Sequence, residues 1–80
     1  MKIAVIKSLV ESHTLERLRK AEEDVLAGVA GDFEIPGNDE GEKLTHVLAA
    51  IEILENMQTT GKDIRTALRE FSERVRNSIS

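Results

Sequence analysis

The sequence predicts a small all-α protein, a bundle of three to four helices around a central, broadly apolar helix at about residues 40–58. Three observations predict this fold class. The 80 residues are enough for one domain. Residues 44–57 carry apolar side chains over roughly 220° of a helical circumference. Residues 64–79 carry one apolar stripe of helical period.

The first segment, residues 1–11, fits two secondary structures. Ile3 and Val5 alternate as they would in a strand. A helical spacing includes more of the apolar residues of this segment, namely Ile3, Ile6, Leu9 and Val10. We therefore expect a short helix here, and a strand is the alternative.

The second helix is predicted from Leu15 to about Ala27. Thr14 precedes it, and a threonine hydroxyl at that position accepts a hydrogen bond from an unpaired backbone N–H of the first turn. Gly28 and Gly31 are candidate stops, because glycine adopts the left-handed conformation without a Cβ penalty. We expect the buried side of this helix to contain the apolar residues Leu15, Leu18, Val25, Leu26 and Val29.

An irregular stretch separates the second helix from the central one. Phe33 and Ile35 are expected in a short extended segment with Glu34 facing away, and the dipeptide at 36–37 is a turn signal. Asp39 stands three residues before an acidic residue, which is the spacing of a capping box at the start of the central helix.

The central helix is predicted to be buried on more than one side. Its apolar arc contains Leu44, Val47, Leu48, Ala50, Ile51, Ile53, Leu54 and Met57. Such an arc must contact several helices or another copy of the chain. A connector at 59–61 leads to the last helix, for which Asp63 or Thr60 is the expected cap. Its stripe contains Ile64, Ala67, Leu68, Phe71, Val75 and Ile79. The short connector predicts antiparallel pairing of the last two helices.

Composition excludes several classes of function. The chain has no cysteine, which excludes disulfides, thiolate zinc sites and thiol catalysis by the chain itself. No segment has the features of a secretory signal or the roughly 20 apolar residues of a membrane span, so we expect a soluble cytoplasmic protein without membrane contact. Residues 1–60 carry 6 Lys/Arg against 12 Asp/Glu, whereas residues 61–80 carry 5 against 3. This acidic balance argues against general nucleic-acid binding.

Two groups of residues are candidate functional sites. His46 lies at the edge of the apolar arc, so a polar boundary residue is the first interpretation of it. It also stands four residues after Glu42, and a general base with an orienting carboxylate is the alternative. Arg65, Arg69 and Arg76 project within about 60° of one another on the last helix. They can hold a carboxylate or phosphate, contact a partner, or pair locally with nearby glutamates. The acidic loop at 32–42 is explained by helix capping and solubility. Contact with a protein partner and binding of a hard cation are the alternative interpretations.

Three hypotheses of function follow. The first is a protein-interaction module that acts as a homodimer or accessory subunit, with Leu48 and Ile51 at the interface and the arginine face as a polar contact. The second is a small-molecule or anion binder, or an enzyme, that uses His46 with Glu42 and the arginine face. The third is a weak nucleic-acid binder through the last helix. No cofactor motif is present in the sequence, and we expect neither a cofactor nor an enzymatic activity.

Three segments also carry a family resemblance, namely KIAVIKSLVE (2–11), GNDEGEKLTHVLAAIEILE (37–55) and TALREFSERVRNSIS (66–80). They resemble an uncharacterised family of short helical proteins found in Bacteroidota. The resemblance implies a helical first segment and singles out Thr45, His46, Arg69 and Arg74–Arg76 as motif residues without roles. It also implies an association with thiol-redox enzymes of the thioredoxin and peroxiredoxin type, in which a chain without cysteine would be an accessory protein.

Overall fold

A computed structural model describes residues 2–79 of the chain, and the side chains of residues 2–77. It contains four helices: α1 Ile3–Ser12, α2 Leu15–Ala27, α3 Glu40–Thr60 and α4 Ile64–Ile79. The predicted all-α bundle is confirmed. The first segment is helical, so the strand alternative is wrong. No helix among the described residues is both long and apolar enough to cross a membrane.

Three polar side chains begin the helices where the sequence places them. Thr14 Oγ1 accepts a hydrogen bond of 3.2 Å from the N–H three residues later. Asp39 Oδ1 accepts the equivalent bond at 2.7 Å, and Asp63 Oδ1 accepts one at 2.8 Å. Asp63, and not Thr60, is therefore the cap of α4. Each bond satisfies one of the backbone donors that a helix start leaves without an intrahelical partner.

The core surrounds α3, which packs against α2 most extensively and also against α1 and α4. The buried apolar side chains come from all four helices and from one loop residue: Ile6, Leu9, Val10, Leu18, Ala21, Ile35, Val47, Ala49, Ala50, Ile51, Ile53, Ala67, Leu68 and Phe71. The predicted stripe of α4 is buried at Ala67, Leu68 and Phe71, and half-buried at Ile64 and Val75. The side chain of Ile79, also assigned to this stripe, lies outside the described residues.

The predicted buried side of α2 is wrong at its C-terminal end. Leu26 is 66% exposed and Val29 is 57% exposed. Leu26 lies 100° from the half-buried Val25 on the helical circumference and so points away from the core. Val29 lies beyond Gly28, which ends the helix with a left-handed backbone (φ 72°) and turns the chain away from the helical stripe.

The exposed side of α3 also differs from the prediction. Leu48 is 43% exposed, whereas Ala49 is buried. Helices α1, α2 and α4 cover the rest of α3 and leave the side that carries Thr45, Leu48, Glu52 and Glu55 open to solvent. The side of α3 that its neighbours cover is therefore rotated around the helix axis relative to the apolar side that the sequence predicts.

Residues 29–39 form a strap that connects α2 to α3. Within it Phe33 is half-buried, Glu34 is exposed and Ile35 is buried, as expected for an extended segment. The ring of Phe33 stacks on His13 with centroids 3.7 Å apart and an angle of 11°. The guanidinium of Arg17 lies 5.3 Å from the same ring centroid, within the range of a cation–π contact. These contacts hold the strap against the junction of α1 and α2.

Candidate functional site

His46 is completely buried and both of its ring nitrogens have backbone partners. Nε2 lies 3.0 Å from the backbone nitrogen of Lys2, and Nδ1 lies 2.7 Å from the carbonyl oxygen of Pro36. The N–H of Lys2 can only donate, so Nε2 accepts and Nδ1 carries the proton that it donates to Pro36. The ring therefore joins the start of α1, the strap and the central helix.

This arrangement leaves His46 without a nitrogen available to a substrate. The predicted orienting partner is also engaged elsewhere, because Glu42 Oε1 accepts a hydrogen bond of 2.7 Å from the backbone N–H of Asn38. That bond is the main reason why the pKa of Glu42 lies below its ordinary value. The geometry gives no support to a general base at this position. Within the described part of the chain, no three side chains of ligating type come together to hold a metal ion.

The predicted arginine face is exposed at all three positions, Arg65, Arg69 and Arg76. Among the residues that the structure describes, none of the three forms an ion pair. Arg74 instead pairs with Glu52 across α4 and α3 at 2.8 Å. The large apolar side chains that the described residues expose lie on other elements, so this face offers charge without an apolar anchor.

A second exposed surface follows the outer edge of the α2–α3 contact. Arg19 of α2 pairs with Glu55 of α3 at 2.7 Å. The two helices are antiparallel, because a cavity at the C-terminal end of α2 is also lined by Lys43 in the first turn of α3. Seven residues make nearly two turns with a drift of about 20°. Moving that far along each helix from the ion pair leads to Leu26 and Leu48, which therefore lie on the same outer side of the α2–α3 pair as the ion pair.

We call this surface the leucine seam and define it by Leu26 and Leu48, with the half-buried Leu44 one turn away. Leu48 was predicted to be an interface residue, and it is exposed in this structure. Ile51, the other predicted interface residue, is only 8% exposed and belongs to the core. Leu26 was missed as a surface residue. The exposure of Leu26 could have been predicted from Arg19 and Glu22, because these two charged residues lie on the same side of α2.

A third feature, which we call the α2 cleft, opens between the end of α2 and the strap. It is a cavity of about 470 Å³, open to solvent. Its apolar lining includes Val25, Val29, Ala30, Phe33 and Ile35. Its charged lining consists of Asp24, Asp32, Glu34 and Lys43, and Glu40 lines a smaller adjoining cavity. The acidic loop predicted from the sequence thus forms part of a rim around an apolar surface.

Comparison with known proteins identifies a family but no activity. No curated protein and no solved structure is significantly similar to the chain. The sequence model of a family of unknown function (DUF6952) matches residues 1–80. The resemblance of the three quoted segments to an uncharacterised family is confirmed at this level. The chain belongs to the DUF6952 family, whose function is unknown.

Proposed function

We propose that the protein acts through protein–protein contact and forms a homodimer through the leucine seam. The observation that carries the proposal is the exposure of Leu26 and Leu48 on the outer side of two packed helices. On α3, the charged residues beside Leu48 are already paired within the chain, because Glu52 contacts Arg74 and Glu55 contacts Arg19. The paired charges of α3 can meet the same helix of a second copy with little like-charge repulsion.

A two-fold axis near Leu48 would pack α2 and α3 of one copy against the same helices of the other. Residue pairs then repeat across the axis, as in the common closed dimer. The exposed fractions of Leu26 and Leu48 together correspond to about one leucine side chain. Burying that surface contributes roughly 1.5–3 kcal/mol per copy, or about 3–6 kcal/mol for the dimer. A micromolar dissociation constant needs about 8 kcal/mol, so we expect a weak, reversible dimer.

Charged substitutions in the seam test this proposal. Leu48→Glu is expected to give a folded monomer, because it places a charge in the interface at a position outside the buried core. Gln58→Glu, an exposed position of the same helix that lies about 80° around it from Leu48, is the matched control and is expected to leave the mass unchanged. Ile51→Glu is expected to unfold the chain, since Ile51 is buried. If Leu48→Glu remained folded and kept the mass of a dimer, the seam would not be the interface.

The dimer is also proposed as an accessory component in the cytoplasm of Bacteroidota, in the setting of thiol-redox enzymes. The sequence resemblance supports this setting. Because the chain has no cysteine and cannot exchange disulfides itself, its role there would be an accessory one. A direct test is whether the purified protein changes the rate at which a thioredoxin or peroxiredoxin turns over its substrate. An unchanged rate at saturating dimer concentration would contradict this role and leave the dimer unaffected.

The two other hypotheses have less support. A catalytic His46 would need a free ring nitrogen, and both nitrogens are bonded to the backbone. Binding of nucleic acid through α4 would rely on Arg65, Arg69 and Arg76. The same helix and its cap also carry three acidic residues, which would repel phosphate: Asp63, Glu70 and Glu73. Retention on a phosphate matrix at low salt, lost as salt increases, would revive that alternative.

A further inference from the structure

The α2 cleft lies on a different side of α2 from the leucine seam. Val25 lines the cleft, and Leu26 of the seam projects about 100° away from it around the helix. A dimer formed through the seam therefore leaves the cleft open. We propose that the cleft is a second docking site, which takes an apolar side chain flanked by Lys or Arg on a segment of a partner protein.

The apolar part of the cleft is already formed in the free chain. Phe33 is held by its stack on His13 and by the guanidinium of Arg17. Ile35, also in the strap, is buried in the core, so this wall does not have to be ordered when a partner binds. A preformed wall lowers the cost of binding. The volume of about 470 Å³ also lies within the range of roughly 300–1,000 Å³ that ligand pockets occupy.

The charges around the cleft decide which kind of segment fits. Asp24 is paired with Lys20 at 3.1 Å. The other carboxylates that line the cleft and the adjoining cavity belong to Asp32, Glu34 and Glu40, and Lys43 is the one cation in that lining. This acidic excess attracts Lys or Arg and repels acidic segments and anionic amphiphiles.

A second copy of the chain fits this cleft poorly. Placing two α2 clefts face to face would bring two acidic rims together, which like-charge repulsion disfavours. The basic face of another copy, formed by Arg65, Arg69 and Arg76, exposes no large apolar side chain among the described residues to fill the cleft. A partner segment that combines apolar and basic side chains satisfies both requirements.

Selection from a displayed library of random short peptides, with the full chain as the target, tests the inference. We expect the selected peptides to share a large apolar residue flanked by Lys or Arg. A synthetic peptide of that consensus is expected to bind about tenfold more weakly to Val29→Asn, because roughly 1.5 kcal/mol of apolar burial is lost. The double variant Asp32→Lys/Glu34→Lys is expected to weaken binding by a similar factor, and its effect is expected to shrink at high salt.

Two control variants separate this site from the dimer. Leu48→Glu is expected to abolish the dimer and to leave the affinity for the peptide unchanged. Gln58→Lys adds a charge at an exposed position away from the cleft and is also expected to leave the affinity for the peptide unchanged. The inference is overturned if no peptide is enriched, if the consensus is acidic or uncharged, or if the cleft variants bind the peptide as tightly as the parent chain. A monomeric mass with intact peptide binding would contradict the proposed dimer alone.

Discussion

Replacing His46 by leucine tests the largest polar arrangement in the core. The substitution keeps a buried apolar body of similar size but removes both ring hydrogen bonds, so the N–H of Lys2 and the carbonyl of Pro36 lose their partner. An unpaired buried polar group costs about 1–3 kcal/mol. Both bonds are only partly buried, so we expect a combined loss of about 2–4 kcal/mol.

That loss is large for a chain of this size. At about 0.05–0.15 kcal/mol per residue, an 80-residue chain has a free energy of unfolding of roughly 4–12 kcal/mol. One kcal/mol corresponds to about 4–8 °C in Tm for a domain of this length. We therefore expect His46→Leu to lower Tm by roughly 10–25 °C, with the helix signal in circular dichroism as the readout during thermal and urea unfolding.

Two conservative variants divide the effect between the two bonds. In His46→Asn the amide nitrogen takes the position of Nδ1 and can still donate to Pro36. In His46→Gln the amide oxygen takes the position of Nε2 and can still accept from Lys2. Each of these two variants is expected to lose about half of the free energy of unfolding that His46→Leu loses. A free energy of unfolding for His46→Leu within about 0.5 kcal/mol of the parent chain would refute the reasoning, because that is the effect of an ordinary surface substitution.

Three further predictions concern charges, caps and close approach. The hydrogen bond from Lys62 lowers the pKa of Glu70. This bond therefore stabilises the fold fully above the ordinary glutamate pKa, and the stabilisation is lost as the pH falls from there through the lowered pKa. The unfolding midpoint should decrease over this pH range, and it should decrease less in Glu70→Gln. Asp39→Ala should destabilise by about 1 kcal/mol in urea unfolding, whereas Asp39→Ser should retain most of the stability. Gly37→Ala should destabilise, because its Cβ would lie 2.9 Å from the backbone nitrogen of Lys43; unchanged stability would show that the strap shifts easily.

Local sequence signals predicted the helices well. The spacing of apolar residues placed all four, and the hydroxyl of Thr14 and the carboxylate of Asp39 marked two of the starts. These signals depend on residues within one or two turns, so they do not require knowledge of the fold. The N-terminal segment was decided in the same way, because more of its apolar residues fit a helix than a strand.

The surfaces could not be predicted in this way, because they depend on which side of each helix a neighbour covers. Leu26 and Leu48 fit the apolar spacing of their helices, yet both are exposed, because α2 and α3 are covered by their neighbours on other sides. The partners of His46 are backbone groups 44 and 10 residues away, which have no side-chain signature in the sequence. The α2 cleft likewise forms only when the strap returns to stack Phe33 on His13.

The absolute mass in solution tests the central claim most directly. Light scattering with refractive-index detection suits this chain, because it has no Tyr or Trp for ultraviolet detection. The proposal predicts a mass near that of one chain at about micromolar concentration, which rises toward that of two chains as the concentration approaches roughly millimolar. Leu48→Glu is expected to keep the mass of one chain at every concentration. The mass of a single chain for the parent protein throughout a concentration series extending to the millimolar range would contradict it.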